Sequence, residues 1–287
     1  MERDILSVIS RESSGFSKGQ RLIAKYILEN YDKAAFMTAG KLGKTVGVSE
    51  STVVRFAAEL GYDGYPGMRK SLQEMIRNRL TSVQRIEVSR SLIDERDILR
   101  SVLNADMDKL QSTLECVNTD AFDRAVNAIS GARHVYILGM RSSSPLASFM
   151  GYYLNLLQEN VHTVYETSTS EVYEQILRIR QGDVFVGISY PRYSARTLKA
   201  MKFASGSGAT VVGITDGETS PFVGIADINL FAKSDMVSFL DSLVAPLSLI
   251  NALIVSIGLR SNDTLPEIFK SLESIWSEHE VYETLDD

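Results

Sequence analysis

AGKLGKTVGVSESTVVRFAAELGY, residues 39–62, decides how the N-terminal part of the chain is read. Leu42, Val46, Val48, Val53, Phe56 and Leu60 fall at helical spacing. They can pack a helix over 39–46 against another over about 50–60. Gly47 supplies the tight turn between them. Ser49 stands where the next helix needs an N-cap, and Gly61 closes that helix. Glu50, Ser51, Thr52 and Arg55 are left at the start of the exposed face. In a helix-turn-helix, residues at this end of the second helix reach base edges. An arginine there can read guanine or hold a phosphate. Lys44 and Ser49 at the turn complete the candidate DNA-binding set, with Lys41, Arg69 and Lys70 as further phosphate contacts. The competing reading is a small helical bundle whose surface lysines only keep a face solvated.

The pattern extends outward from this stretch. Ser17 followed by Gln20 is a capping box, and Leu22, Ile23, Tyr26 and Ile27 then recur at helical spacing. A basic helix is expected near 66–80, with Pro66 in its first turn. Residues 1–80 thus read as an all-α head carrying 13 Lys and Arg against 9 Asp and Glu, a net +4. The remaining residues hold 17 against 27, a net −10, and the whole chain carries −6. A basic head on an acidic body is the asymmetry expected when only the head meets phosphates.

Residues 81–94, TSVQRIEVSRSLID, are polar with weak periodicity and read as a linker. Helical patterns at 95–117 and 120–130 lead into a body spanning 95–287. There, apolar runs at 134–138, 161–165, 183–188, 210–215 and 227–231 alternate with helical stretches near 144–159, 170–179, 194–207 and 240–260. Continuous apolar strands separated by helices predict a five-stranded parallel sheet, doubly wound and covered on both faces.

Two strand-to-helix loops of this body carry serines: YILGMRSSSPLA (136–147) and VGISYPRYSART (186–197). Ligands of open parallel sheets sit at the carboxyl ends of the strands. Hydroxyls and free N–H groups at a helix start suit a phosphate. Ser142, Ser143, Ser189 and Ser194 are therefore candidates to grip one phosphorylated ligand from two sides. The alternative is that these serines are ordinary caps.

The whole chain resembles the RpiR-type transcription regulators, in which a helix-turn-helix precedes a sugar isomerase (SIS) domain. The head resembles them through GVSESTVVRFAAELGY. The body resembles a SIS domain through Gly139, Ser143 and Ala147, against that domain's G-x-G-x-S-x-x-x-A loop. It does so again through Ser189 to Ser194, against S-x-S-G-x-[ST], and through GATVVGIT followed by Ala226-Asp227. The resemblance implies a cytoplasmic bacterial regulator whose affinity for duplex DNA is set by a phosphosugar-type metabolite.

Two departures from the SIS pattern stand out. Arg141 replaces the second glycine of the first loop. Arg192 replaces the glycine of the second, behind Pro191. A glycine lets backbone approach phosphate closely, whereas an arginine brings a planar five-donor cation. Either the ligand carries extra negative charge, as a sugar acid phosphate does, or the arginines fill the pocket and pair with local carboxylates.

Composition narrows the classes. The single cysteine, Cys116, excludes an internal disulfide, and three scattered histidines mark no metal site. No cofactor and no catalytic residue is expected. The charged N-terminus, Met-Glu-Arg-Asp-Ile, argues against export. Leu240–Leu259 is apolar but holds Asp241, Pro246 and Asn251, which fits a buried helix rather than a membrane span. A phosphosugar isomerase with an accessory head is the competing function. Glu166, Glu171 and Glu174 lie near a strand end and could move a proton, although Glu171 reads better as a helix N-terminal charge. A pure interaction module is the third reading. Helix-turn-helix proteins need two heads about one helical turn apart, so a homodimer or homotetramer is expected. Residues 240–260 and Leu265–Trp276 are the candidate interface or sheet-closing elements.

Overall fold

The computed structural model describes residues 5–76, 81, 83–86, 97–165, 169–234, 240–260 and 265–282. The chain divides into two compact units, one of Met1–Ala105 with Met236–Asp241 and one of Asp106–Asp235 with Ser242–Asp287. Most of the 81–94 stretch lies outside the described residues, and the division falls within a helix, after Ala105.

The first unit is helical: α1 (Ile5–Glu12), α2 (Lys18–Glu29), α3 (Tyr31–Ala34), α4 (Ala39–Val46), α5 (Glu50–Glu59) and α6 (Gly64–Ile76). The 17–20 capping box forms in full, with Ser17 and Gln20 each accepting the other's backbone N–H. Ile5, Ile9, Ile23, Ile27, Leu42, Val53, Phe56, Met68, Leu72 and Ile76 make one fully buried core. Phe16 meets Phe56 edge-on at 5.2 Å between ring centroids. Burying this much apolar side chain fixes the helices, because short isolated helices are marginal in water. Tyr65 anchors α6 by donating to the Met37 carbonyl at 2.9 Å, and burial pushes its hydroxyl up to about 12. Leu22 departs from the expected inner face. It is 45% exposed, because Ile23, Ala24 and Ile27 already fill that side of α2.

α7 (Ile98–Cys116) is the helix in which the division falls, and its part from Asp106 onward, with α8 (Thr119–Ser130), precedes the α/β part of the second unit. The rest runs β1 (Val135–Gly139), α9 (Ser144–Leu157), β2 (Val161–Thr163), α10 (Thr169–Gln175), β3 (Val184–Ile188), α11 (Ala195–Gly206), β4 (Thr210–Thr215), β5 (Ile228–Phe231), α12 (Val244–Arg260) and α13 (Leu265–Glu278). The five strands are parallel, in the order β2-β1-β3-β4-β5. β1 and β3 are buried at every position, which is why both read as unbroken apolar runs. Their side chains alternate between two cores. Val135, Ile137 and Val186 pack with α8, α9 and α12, while Tyr136, Leu138 and Phe185 pack with α10 and α11.

The apolar stretch near 240–260 gives one face to this core and leaves Val244, Leu247, Val255 and Leu259 exposed. Ala245, Pro246, Leu249, Ile250, Leu253, Ile254 and Ile257 of α12 are buried. No single helix among the described residues is long and apolar enough to cross a membrane.

Candidate functional site

The head presents α5 as expected. Gly47 ends α4 with φ 76°, a left-handed conformation that glycine adopts without steric cost. Ser49 then caps α5, its Oγ accepting the Thr52 N–H at 3.3 Å. The same oxygen lies 2.9 Å from Ser51 Oγ and 2.8 Å from Thr52 Oγ1, so three hydroxyls cluster at the helix start. Lys44, Ser49, Glu50, Ser51 and Arg55 are exposed and Thr52 is half-buried. Two of the six turn partly aside. Glu50 stands over the first turn of α4, where a Cβ at Gly40 would lie 3.1 Å from its Oε2. Thr52 approaches α2, its Cγ2 lying 3.5 Å from where a Cβ at Gly19 would sit. Arg55 lies back along its own helix, with Nε donating to the Ser51 carbonyl at 3.3 Å.

The second unit brings its two serine loops together. β1 and β3 are neighbours, with Gly139 in register with Ile188. The chain leaves β1 for α9 on one face and β3 for α11 on the other, so the strand order reverses between them. That reversal opens a crevice at the carboxyl ends of the strands. The loops touch directly, Ser194 Oγ lying 3.2 Å from Met140 Sδ. Gly139, Ser143 and Ala147 form one close contact. A Cβ on Gly139 would stand 2.3 Å from the Ser143 carbonyl oxygen and 3.1 Å from the Ala147 Cβ. The G-x-x-x-S-x-x-x-A spacing is therefore a packing requirement that folds the loop back over the strand end.

The serines divide by role. Ser189 is 5% exposed, and its Oγ accepts the Ser194 N–H at 3.1 Å. Ser194 caps α11 by accepting the Thr197 N–H at 3.2 Å. Ser143, 3% exposed, holds the N-cap position of α9 without making a capping hydrogen bond, and Ser142 is exposed. Both loops thus deliver a helix N-terminus to one crevice, where backbone N–H groups and the helix dipole favour an anion. Arg141 and Arg192 are exposed on these loops, with φ of 55° and 67°. Each arginine holds a left-handed backbone of the kind that favours glycine, at a cost of roughly 1–2 kcal/mol.

A polar cluster that the sequence reading missed stands behind the crevice. Tyr193 Oη donates to Asp216 Oδ1 at 2.8 Å, and Thr215 Oγ1 reaches the same oxygen at 3.1 Å. Thr215 and Ser220 hydroxyls lie 2.8 Å apart. Asp216 is buried at the end of β4. Tyr190 is buried beside it, and burial first, then the Asp216 charge, drives its hydroxyl well above the usual range. The only sequence signal was a Thr-Asp pair ending an apolar run.

Of the candidate proton-moving residues, Glu166 lies outside the described residues. Glu171 falls in the first turn of α10, as its helix-start reading required, and Glu174 is exposed on the same helix. His134 and His162 stack on each other with ring nitrogens 3.1 Å apart, and His162 also stacks on Tyr136. They flank the amino-terminal half of β1, the far edge of the sheet from the crevice.

A reading helix on an all-α head and an anion-suited crevice in a doubly wound sheet define a DNA-binding protein with an attached ligand-type domain. Known proteins agree. Residues 3–79 match the helix-turn-helix domain of the rpiR family and residues 128–256 match the SIS domain. The chain belongs to the RpiR-type regulators, with the family's helix-turn-helix followed by a SIS domain. It is 23% identical over 282 residues to an uncharacterized HTH-type transcriptional regulator of Caldanaerobacter subterraneus subsp. tengcongensis, covering 97% of this chain and 99% of that protein. The sugar isomerase domain of an RpiR transcription factor from Sphaerobacter thermophilus superposes with a TM-score of 0.59 at 28% identity, over 62% of this chain and 99% of that one. The Vibrio vulnificus NanR protein complexed with ManNAc-6P superposes with a TM-score of 0.59 at 23% identity, over 95% of this chain and 98% of that one.

Proposed function

We propose that this protein is a transcriptional regulator whose affinity for operator DNA is set by a phosphosugar or sugar acid phosphate bound between the β1–α9 and β3–α11 loops. The observation that carries the reading is the convergence of two helix N-termini, Ser143, Ser189 and Ser194, and two left-handed arginines at one strand-order reversal. The phosphate would sit at the helix starts. Arg141, Ser142 and Arg192 would meet the rest of the ligand. The NanR complex supports a phosphosugar as the effector class.

In the head, Ser51 and Arg55 would contact bases, while Lys44, Ser49 and Thr52 would hold the phosphate backbone. Glu50 would flank them at the helix start. The protein would act in the cytoplasm as a homodimer or homotetramer, so that two heads span an operator. α13 offers a surface for that assembly, since none of its residues is buried and Phe269 and Ile275 are exposed. A sensor fits better than an isomerase because, among the described candidates, Glu171 sits at the start of α10, Glu174 is exposed on that helix, and the histidine pair stands at the edge of the sheet away from the crevice.

The test is a mobility-shift titration on duplex enriched from a randomised pool, at two salt concentrations. Binding that neutralises several phosphates weakens steeply as salt rises. Enrichment of a defined sequence with steep salt dependence is expected. Salt-independent binding, or no enrichment in any effector state, contradicts the reading.

A further inference from the structure

The outward face of α5 consists of Ser51, Val54, Arg55 and Ala58, all exposed, at spacings of three and four. It lies opposite the buried Val53, Phe56 and Ala57. Glu50 is turned onto α4 and Thr52 is turned toward α2. The face that remains carries a hydroxyl, a cation and, between them, a branched apolar side chain. Val54 is 41% exposed at this position. It lies one turn into the helix, where side chains still reach base edges.

The chemistry of the major groove gives such a side chain one partner. Each base pair there presents hydrogen-bond donors and acceptors, and thymine alone adds an apolar group, its C5-methyl. Valine suits that methyl. A β-branched side chain in a helix has essentially one χ1 rotamer, so little rotamer freedom is lost when it docks. We infer that Val54 is a specificity-determining residue that reads a thymine methyl, beside the base that Arg55 contacts. The inference rests on the proposed DNA binding and adds to it a base identity and the residue that selects it.

The experiment uses the full-length protein and the duplex it enriches from a randomised pool. Each thymine is replaced in turn by deoxyuridine, which removes the methyl and leaves every hydrogen-bonding group in place. One thymine in each half-site should weaken wild-type binding about fourfold when its methyl is lost, as expected for one buried methyl group. Val54→Ala should bind the unmodified duplex more weakly by a similar factor and should no longer respond to that methyl. Val54→Ile should keep the response. The deoxyuridine series on wild-type protein needs no mutant to fold, and melting of Val54→Ala checks its integrity. If wild-type protein senses no thymine methyl, or if Val54→Ala senses it undiminished, the inference is wrong while DNA binding stands. If no duplex is enriched, the DNA-binding reading fails and takes this inference with it.

Discussion

Arg141 and Arg192 share a left-handed backbone, with φ of 55° and 67°, each at the position where the SIS pattern carries a glycine. Both loops hold a non-glycine residue in a conformation that strains it. Strained residues of this kind cluster at ligand clamps. Both residues lie just before a helix N-terminus, where the positive helix end favours an anionic ligand.

Arg192→Gly separates the two uses of that arginine. The change relieves the left-handed strain but loosens the unfolded chain, so stability should hold or rise by at most about 1 kcal/mol. If Arg192 meets a second anionic group, calorimetry should show a large loss of affinity for a sugar acid phosphate and a small one for a simple phosphosugar. Tighter binding by the glycine variant would show that the arginine fills the pocket.

Ser143→Ala and Ser189→Ala should differ. Ser189 accepts the Ser194 N–H, so its loss strands a backbone donor and should cost about 1–2 kcal/mol of stability along with ligand affinity. Ser143 makes no capping bond, so Ser143→Ala should melt close to the parent yet bind ligand about tenfold more weakly. A charge-assisted hydrogen bond is worth about 1.5–3 kcal/mol. Parent-like binding by both variants would leave the serines as structural groups only.

Arg55→Ala should weaken operator binding by about 1–3 kcal/mol, as for a lost base contact. Its side chain is exposed and bonds only within α5 among the described partners, so the melting temperature should not move. Binding on the enriched duplex, read by anisotropy, checks the first expectation and calorimetric melting the second. Unchanged affinity would take Arg55 off the reading surface.

His162 makes stability depend on pH. Partial burial first, and then the neighbouring His134, hold its pKa below the ordinary 6.5, with Asp183 pulling the other way. The unfolded chain therefore takes up a proton before the folded one does, and stability rises with pH across that interval. The contribution is present above about pH 6.5 and is lost as pH falls below it. Melting temperatures at pH 7.5 and 5.5 should drop toward acid in the parent, and by less in His162→Gln. An equal drop in both would assign the effect to other groups.

Most of the fold was legible because the signals were local. Gly47, Ser49 and the spacing of Leu42, Val53 and Phe56 placed α4 and α5 within a residue of where they lie, and the apolar runs at 183–188 and 210–215 read as the buried strands they form. Leu22 was misread because periodicity gives a face but not how much of it the neighbours cover. The crevice was half legible. Serines before helices are visible in sequence. The Ser194–Met140 contact and the Tyr193–Asp216 bond join residues 54 and 23 positions apart, and no local pattern encodes either. Conformation was hidden as well, since nothing in the letters at 141 and 192 says that an arginine adopts a glycine's φ.

The central claim is that a phosphorylated ligand in the crevice changes the grip of the head on DNA. The most direct test is operator affinity, measured by fluorescence anisotropy on the enriched duplex, while phosphosugars, sugar acid phosphates and their unphosphorylated counterparts are titrated in. Coupling between two such sites is typically about 1–3 kcal/mol, so at least one phosphorylated compound should shift the DNA Kd by about 5- to 150-fold. Its unphosphorylated counterpart should leave the Kd unchanged. A Kd that no phosphorylated compound moves, or that both forms move equally, would contradict the account.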